Sequence, residues 1–161
     1  MTQLYPGMTP AASVGGADKV LNHDEERDFI EAQLADFDVD GKRLTIVIPD
    51  GTRHAPVARI LGFVRDALKD RPKDVRVVIA AGTHAAMDDD AIASLTGCEP
   101  GKFSETYPGW QIFNHEWWDE NTFANLGTID RKEIGELSGG RLTDRDMHVI
   151  VNKMVVDTDV N

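Results

Sequence analysis

Apolar residues in this chain fall into short runs divided by polar tags, and the spacing inside each run predicts its element. Phe29, Ile30, Leu34 and Phe37 recur at helical spacing, which predicts a helix from Asp24 to Phe37 capped by Asn22 or Asp24. Gly41 breaks it. Leu44 to Ile48 is β-branched and nearly continuous in apolar character, the mark of a buried strand. Val57, Ile60, Leu61, Val64 and Leu68 supply the buried face of a helix that Pro56 opens and Arg71-Pro72 stops. Val75 to Ala80 predicts a second strand, so residues 44–80 form a βαβ unit with parallel strands and a right-handed connection. Asp88 caps a helix through Leu95 that ends at Gly97, and Trp110 to Phe113 predicts a third strand. Beyond it the pattern weakens, leaving a short helix near 131–137, a Gly139-Gly140 turn and a late strand at Met147 to Val151. Alternating strands and helices predict an α/β fold: a three-layer Rossmann-like open sheet, mostly parallel, flanked by helices.

Residues 1–17, with Pro6, Gly7, Pro10, Gly15 and Gly16, have no period and are expected to form a flexible N-terminal arm. Residues 18–161 form the α/β domain. Its last stretch, Met154 to Asn161, stops in mid-pattern with no capping element behind it, so the domain is expected to be truncated at its C-terminal end.

Composition narrows the function classes. With 161 residues, 41% of them hydrophobic, the chain suits one globular domain, and apolar runs of about six residues are far short of the roughly 20 that span a bilayer. The expected setting is cytoplasmic, without membrane contact. A net charge of −11, much of it between Asp24 and Asp40, repels phosphate backbones and argues against a nucleic-acid partner. Cys98 is the only cysteine, which excludes an intrachain disulfide and an all-cysteine zinc site. Metal-binding H-E-x-x-H, Walker-type phosphate-loop and Gly-x-Gly-x-x-Gly motifs are all lacking.

The chemistry gathers where strands end. Strand 44–48 runs into Asp50-Gly51-Thr52-Arg53-His54-Ala55-Pro56, and strand 75–80 runs into Gly82-Thr83-His84. Open α/β sheets bind ligands beyond the carboxyl ends of their strands, so the two tags converge on one candidate pocket. Arg53 offers a planar fork for a carboxylate or phosphate, with Asp50 and Thr52 beside it. The alternative is a plain turn in which Asp50 and Arg53 pair and cap the following helix. His84, at a strand end, suits proton transfer near neutral pH, while His23 and His54 are read as ordinary surface residues. His115, in the tag Asn114-His115-Glu116, is the next candidate, and His148, inside a strand, is a reserve. Two histidines approaching one carbon from opposite sides would suit inversion of a stereocentre. Lys153 follows an apolar strand and Asn152; on its own it reads as a snorkelling surface lysine.

Taken in order, Asp50-x-Thr52-Arg53-x-x-Pro56, Gly82-x-His84, Asn114-His115-Glu116, Leu126-Gly127-Thr128 and Val151-Asn152-Lys153 resemble the N-terminal domain of the nickel-dependent lactate racemase family over about residues 40–157. The resemblance implies an isomerase that interconverts enantiomers of a small 2-hydroxy acid through a flat 2-keto acid. Its implied cofactor is a nickel-pincer nucleotide, pyridinium-3,5-bisthiocarboxylic acid mononucleotide nickel, which takes a hydride from the substrate carbon and returns it to the opposite face. His84 matches the acid/base histidine, with His115 or the reserve His148 for the mirror-image transfer. Arg53 would grip the substrate carboxylate. Asp50 and Thr52 would support that contact or the cofactor's nucleotide part, and Lys153 matches the covalent cofactor anchor. The family's nickel-ligating histidine lies in a Pro-His segment downstream of the lysine, so no metal ligand is expected within this chain. The partner would be a C-terminal domain of the same polypeptide that closes over the substrate, and the fragment alone is expected to be inactive. Two competing readings are a non-catalytic anion- or nucleotide-binding regulatory module of the same fold and a hydrolase built on Asp, Arg and His.

Overall fold

Asn22 opens α1 (His23–Ala35) with a reciprocal capping box: its side chain accepts from the Asp24 and Glu25 amides, and Glu25 reaches back to the Asn22 N–H. The computed structural model describes residues 12–160. The expected N-terminal arm therefore falls largely outside the described residues.

The first βαβ unit consists of β1 (Arg43–Pro49), α2 (Val57–Leu68) and β2 (Asp74–Ala80), and β1 pairs with β2 in parallel from Arg43↔Asp74 to Pro49↔Ala80. Helix α3 (Asp89–Thr96) and the short α4 (Phe103–Thr106) lead to β3 (Trp110–Asn114), which pairs with β2 in parallel and completes the order β1-β2-β3. This is an open α/β sheet with flanking helices.

Apolar alternation decides what covers the sheet. Leu44 and Ile48 of β1 join Val75, Val77 and Ile79 of β2 in a core closed by Val57, Leu61 and Leu68 of α2. Helix α1 packs against α2 with no residue fully buried and is tied down by an Arg59–Glu26 ion pair at 2.7 Å. At the far end Phe103, Tyr107 and Trp110 stack in sequence, and the buried Tyr107 hydroxyl donates to the Thr96 carbonyl at 3.1 Å.

Two helix boundaries differ from the sequence expectation. Helix α2 ends at Leu68 rather than at Arg71, because Lys69 turns into the left-handed region (φ 51°) and frees Arg71 to bind elsewhere. Its guanidinium donates to the carbonyls of Leu34 and Phe37 and to the Asp40 carboxylate, which fixes the turn after α1. Pro56 is the N-cap of α2 rather than its first residue, so the helix begins at Val57, one position later than expected. The Asp88 cap and the Gly97 stop hold: Asp88 accepts from the Ala91 amide at 2.8 Å, and Gly97 takes φ 74°, which a side chain would strain.

The late strand does not join the main sheet. A 3₁₀ turn (Glu120–Thr122) leads into β4 (Phe123–Ile129), which pairs antiparallel with β5 (Met147–Asn152) in a separate two-stranded ladder carrying α5 (Arg131–Leu137) in its connection. Sequence reading misses β4 because Asn125 and Gly127 interrupt its alternation, and the ladder itself shifts register there. The chain then forms α6 (Lys153–Val156) and returns to the outer edge of β1, where Val160 bridges Leu44 in parallel. Between these points Thr45 donates its hydroxyl to the Met154 carbonyl at 3.0 Å, so α6 covers part of the sheet face opposite Leu44 and Ile48.

Candidate functional site

The carboxyl ends of the three parallel strands lie side by side, so the tags after Pro49, Ala80 and Asn114 emerge along one edge. A cleft of about 250 Å³ opens between the first two, lined by Asp50, Arg53, Gly82, Thr83 and His84. Register in the sheet thus joins two segments more than 30 positions apart in the chain.

Asp50 is the buried centre of this cleft, 6% exposed. Its Oδ1 accepts the Thr52 hydroxyl at 2.6 Å and the Thr52 amide at 3.2 Å, while Oδ2 faces His84 Nδ1 at 2.5 Å. Donation by the Thr52 hydroxyl, then by His84, draws the Asp50 carboxyl down to about 2 from an ordinary value of 3.8. Asp50 is therefore an anion at neutral pH. An anion has only acceptors, so His84 must donate Nδ1–H to it, and in the neutral ring Nε2 is then the bare nitrogen. The His84 side chain is 57% exposed and opens to the cleft. The pair is a carboxylate-oriented imidazole with a free basic nitrogen.

The sign of the resulting acid sensitivity follows from the lowered value. The interaction contributes its full stability above the unfolded carboxyl's pH range near 3.8 and loses it as pH falls through about 2. In denaturant melts between pH 5 and pH 2, Asp50→Asn is expected to lose less stability on acidification than the wild-type chain. Equal slopes would show that the carboxylate is not held as described.

Arg53 resolves the alternative left by the sequence. Its backbone N–H closes a turn onto the Asp50 carbonyl at 3.3 Å, but its guanidinium has no carboxylate partner among the described residues. Asp50 is committed to Thr52 and His84, and α2 has no side-chain cap. The turn reading is right for the backbone, while the guanidinium is left available to an anion at the cleft wall.

A second cavity, of about 280 Å³, lies at the end of β3, lined by Asn114, Glu116, Asn121, Asn152, Lys153 and Met154. Lys153 opens α6, and no carboxylate lies within 4 Å of its amine among the described residues. His115 sits beside this cavity, with Nδ1 3.0 Å from Asn152 Nδ2 and its ring edge-on to Phe123 at 5.4 Å between centroids. The structure therefore brings Asp50, Thr52, Arg53 and His84 together and groups His115 with Asn152 and Lys153 at the next strand end. His148 goes elsewhere: it is exposed on the β4–β5 ladder, with Nδ1 3.0 Å from the Thr128 hydroxyl. Among the described residues no three His, Cys, Asp or Glu side chains form a group able to hold a metal.

Two residues outside the predicted set tie the clusters together. Asn114 exchanges two hydrogen bonds with Met87, Nδ2 donating to its carbonyl at 3.0 Å and Oδ1 accepting its amide at 2.9 Å. Trp117 donates its indole N–H to the His84 carbonyl at 3.1 Å. Together they fasten the 82–88 loop to the end of β3. Asn114 was visible as part of a strand-end tag, but nothing in the sequence signals the Trp117 contact.

Comparison with known proteins agrees with this architecture. A crystal structure of a protein from Thermotoga maritima, a Northeast Structural Genomics Consortium target, superposes with a TM-score of 0.73 at 20% identity. The match covers 92% of this chain and 34% of that one, so the chain spans about a third of the length of that relative and shares its fold. No curated protein sequence matches the chain. Among the described residues no helix is long and apolar enough to cross a membrane. The family described as the lactate racemase N-terminal domain matches residues 26–161, which include β1 to β5 and both candidate cavities. The chain belongs to the lactate racemase N-terminal domain family.

Proposed function

We propose that this domain supplies the substrate-gripping and proton-transferring half of a 2-hydroxyacid racemase or epimerase, the whole enzyme needing further polypeptide to close the site. The observation that carries the proposal is the Asp50–His84 pair at 2.5 Å in the same cleft as Arg53, whose guanidinium has no carboxylate partner among the described residues. Arg53 would take the substrate carboxylate in a bidentate grip, fixing the molecule while its stereocentre changes. His84 Nε2 would accept the proton of the 2-hydroxyl, and Asp50 would stabilise the imidazolium that forms. Thr52 keeps the Asp50 carboxylate turned toward the ring.

The donor set fits a nickel-pincer nucleotide. Lys153 presents to the second cavity an amine without a carboxylate partner among the described residues, suited to a covalent thioamide link, and the guanidinium of Arg53 and the amides of the Gly82-Thr83 turn suit anionic groups. When bound, that cofactor supplies acceptance and return of a hydride. The protein's own part is to hold the acid by its carboxylate and move the hydroxyl proton.

The test uses the full-length parent protein made together with the enzymes that build the cofactor, assayed for interconversion of D and L forms of short 2-hydroxy acids. Arg53→Lys keeps the charge but loses the planar fork, so KM is expected to rise ~10-fold or more, in line with loss of a charge-assisted contact worth roughly 1.5–3 kcal/mol. Loaded wild-type protein that interconverts none of the acids, or an Arg53→Lys variant with unchanged KM, would overturn the reading.

A further inference from the structure

We infer that His115 is a neutral hydrogen-bond donor, held by Asn152 in the tautomer opposite to that of His84; its role in the reaction rests on the function proposed above. Asn152 Oδ1 accepts the Met154 amide at 2.9 Å as the N-cap of α6, which commits the oxygen end of the carboxamide. The nitrogen end must then be the atom 3.0 Å from His115 Nδ1. An amide NH₂ has no lone pair to offer, so the ring nitrogen facing it has to be the acceptor. His115 therefore carries its proton on Nε2. Turning the carboxamide over would remove the cap from Met154 and bring the oxygen to the ring, giving up one bond to change the other.

At His84 the partner chemistry is reversed. The Asp50 carboxylate can only accept, which puts a proton on Nδ1 and, in the neutral ring, leaves Nε2 bare. Two imidazoles at neighbouring strand ends are thus set by an acid and an amide into complementary forms, one presenting a basic nitrogen and the other an N–H. In the proposed reaction His84 would remove the hydroxyl proton, and His115 would polarise an oxygen by hydrogen bonding rather than act as a second, equivalent base. Asn152 is a positioning residue acting through His115. It precedes Lys153, so the segment proposed to anchor the cofactor would also set this proton.

Asn152→Asp isolates the effect. Aspartate still accepts the Met154 amide as a cap, but it replaces the donor facing Nδ1 with an acceptor. Long-range ¹H–¹⁵N spectra of the chain labelled at histidine nitrogen, recorded near pH ~8 where an ordinary imidazole is neutral, read the tautomer directly, with His115→Gln and His84→Gln assigning the signals. Wild-type His115 is expected to show a bare Nδ1 and a protonated Nε2, His84 the reverse pattern, and Asn152→Asp should move the His115 proton to Nδ1. A wild-type His115 protonated at Nδ1 or averaging between forms, or a tautomer unmoved in Asn152→Asp, would overturn the inference. The spectra need neither cofactor nor turnover, so this result and the racemisation assay fail independently of each other.

Discussion

His84→Ala in the cofactor-loaded full-length protein is expected to lower kcat by ~10²–10⁴-fold, the span usual for loss of a positioned general base. The variant removes the imidazole that, among the described residues, shares a cleft with Arg53, and Arg53 would still hold the substrate carboxylate. KM should therefore change much less than kcat, the mark of an interaction that matters chiefly in the transition state. Asp50→Asn is the companion variant. An amide beside His84 Nδ1 can present either its oxygen or its NH₂, so the imidazole loses the partner that fixes its tautomer, and kcat should fall while the ring stays in place. Steady-state assays of both enantiomers check these outcomes. A His84→Ala protein with wild-type kcat would remove His84 from the chemistry.

Leu61→Ala is expected to cost about 2–5 kcal/mol of domain stability, the range for truncating a buried leucine. Leu61 is 2% exposed and lies in the cluster that joins α2 to β1 and β2, so its loss leaves a void between helix and sheet. Both strand ends of the cleft depend on that contact. The Asp50–Arg53 turn connects β1 to α2, and Gly82-Thr83-His84 follows β2. Urea melts of wild type and variant measure the loss, and thermal melts should shift by roughly 2–4 °C for each kcal/mol. A change below ~1 kcal/mol would mean that the helix does not seat on the sheet as described.

Much of the fold was legible because its signals are local. The 3.6-residue period of Val57, Leu61, Val64 and Leu68 and the solid apolar run Val75–Ala80 identify a helix and a buried strand without reference to any neighbour. The Asp88 cap and the Gly97 stop are equally local, since each depends on backbone groups within a few residues. Strand β4 was not legible. Its burial is slight, Leu126 is 56% exposed, and its pairing with β5 rests on backbone bonds that leave no mark in side-chain pattern. The early end of α2 was hidden too, because Arg71 leaves the helix to satisfy carbonyls near α1 that the local sequence does not reveal.

The site divides along the same line. The sequence by itself determined which groups stand at strand ends: a carboxylate, a guanidinium and an imidazole after β1 and β2, and an imidazole and an amine in the later tags. It did so because strand termini are set by local apolar runs and the turn residues that follow them. Only the tertiary structure decided their partners. Parallel register between β1 and β2 put Asp50 against His84 instead of Arg53, and the pairing of β5 with β4 put Asn152 against His115. Hydrogen bonds between side chains act over about 3 Å, whereas the residues they join here lie more than 30 positions apart in the chain, so proximity, and with it the placement of each proton, came from the folding of the sheet.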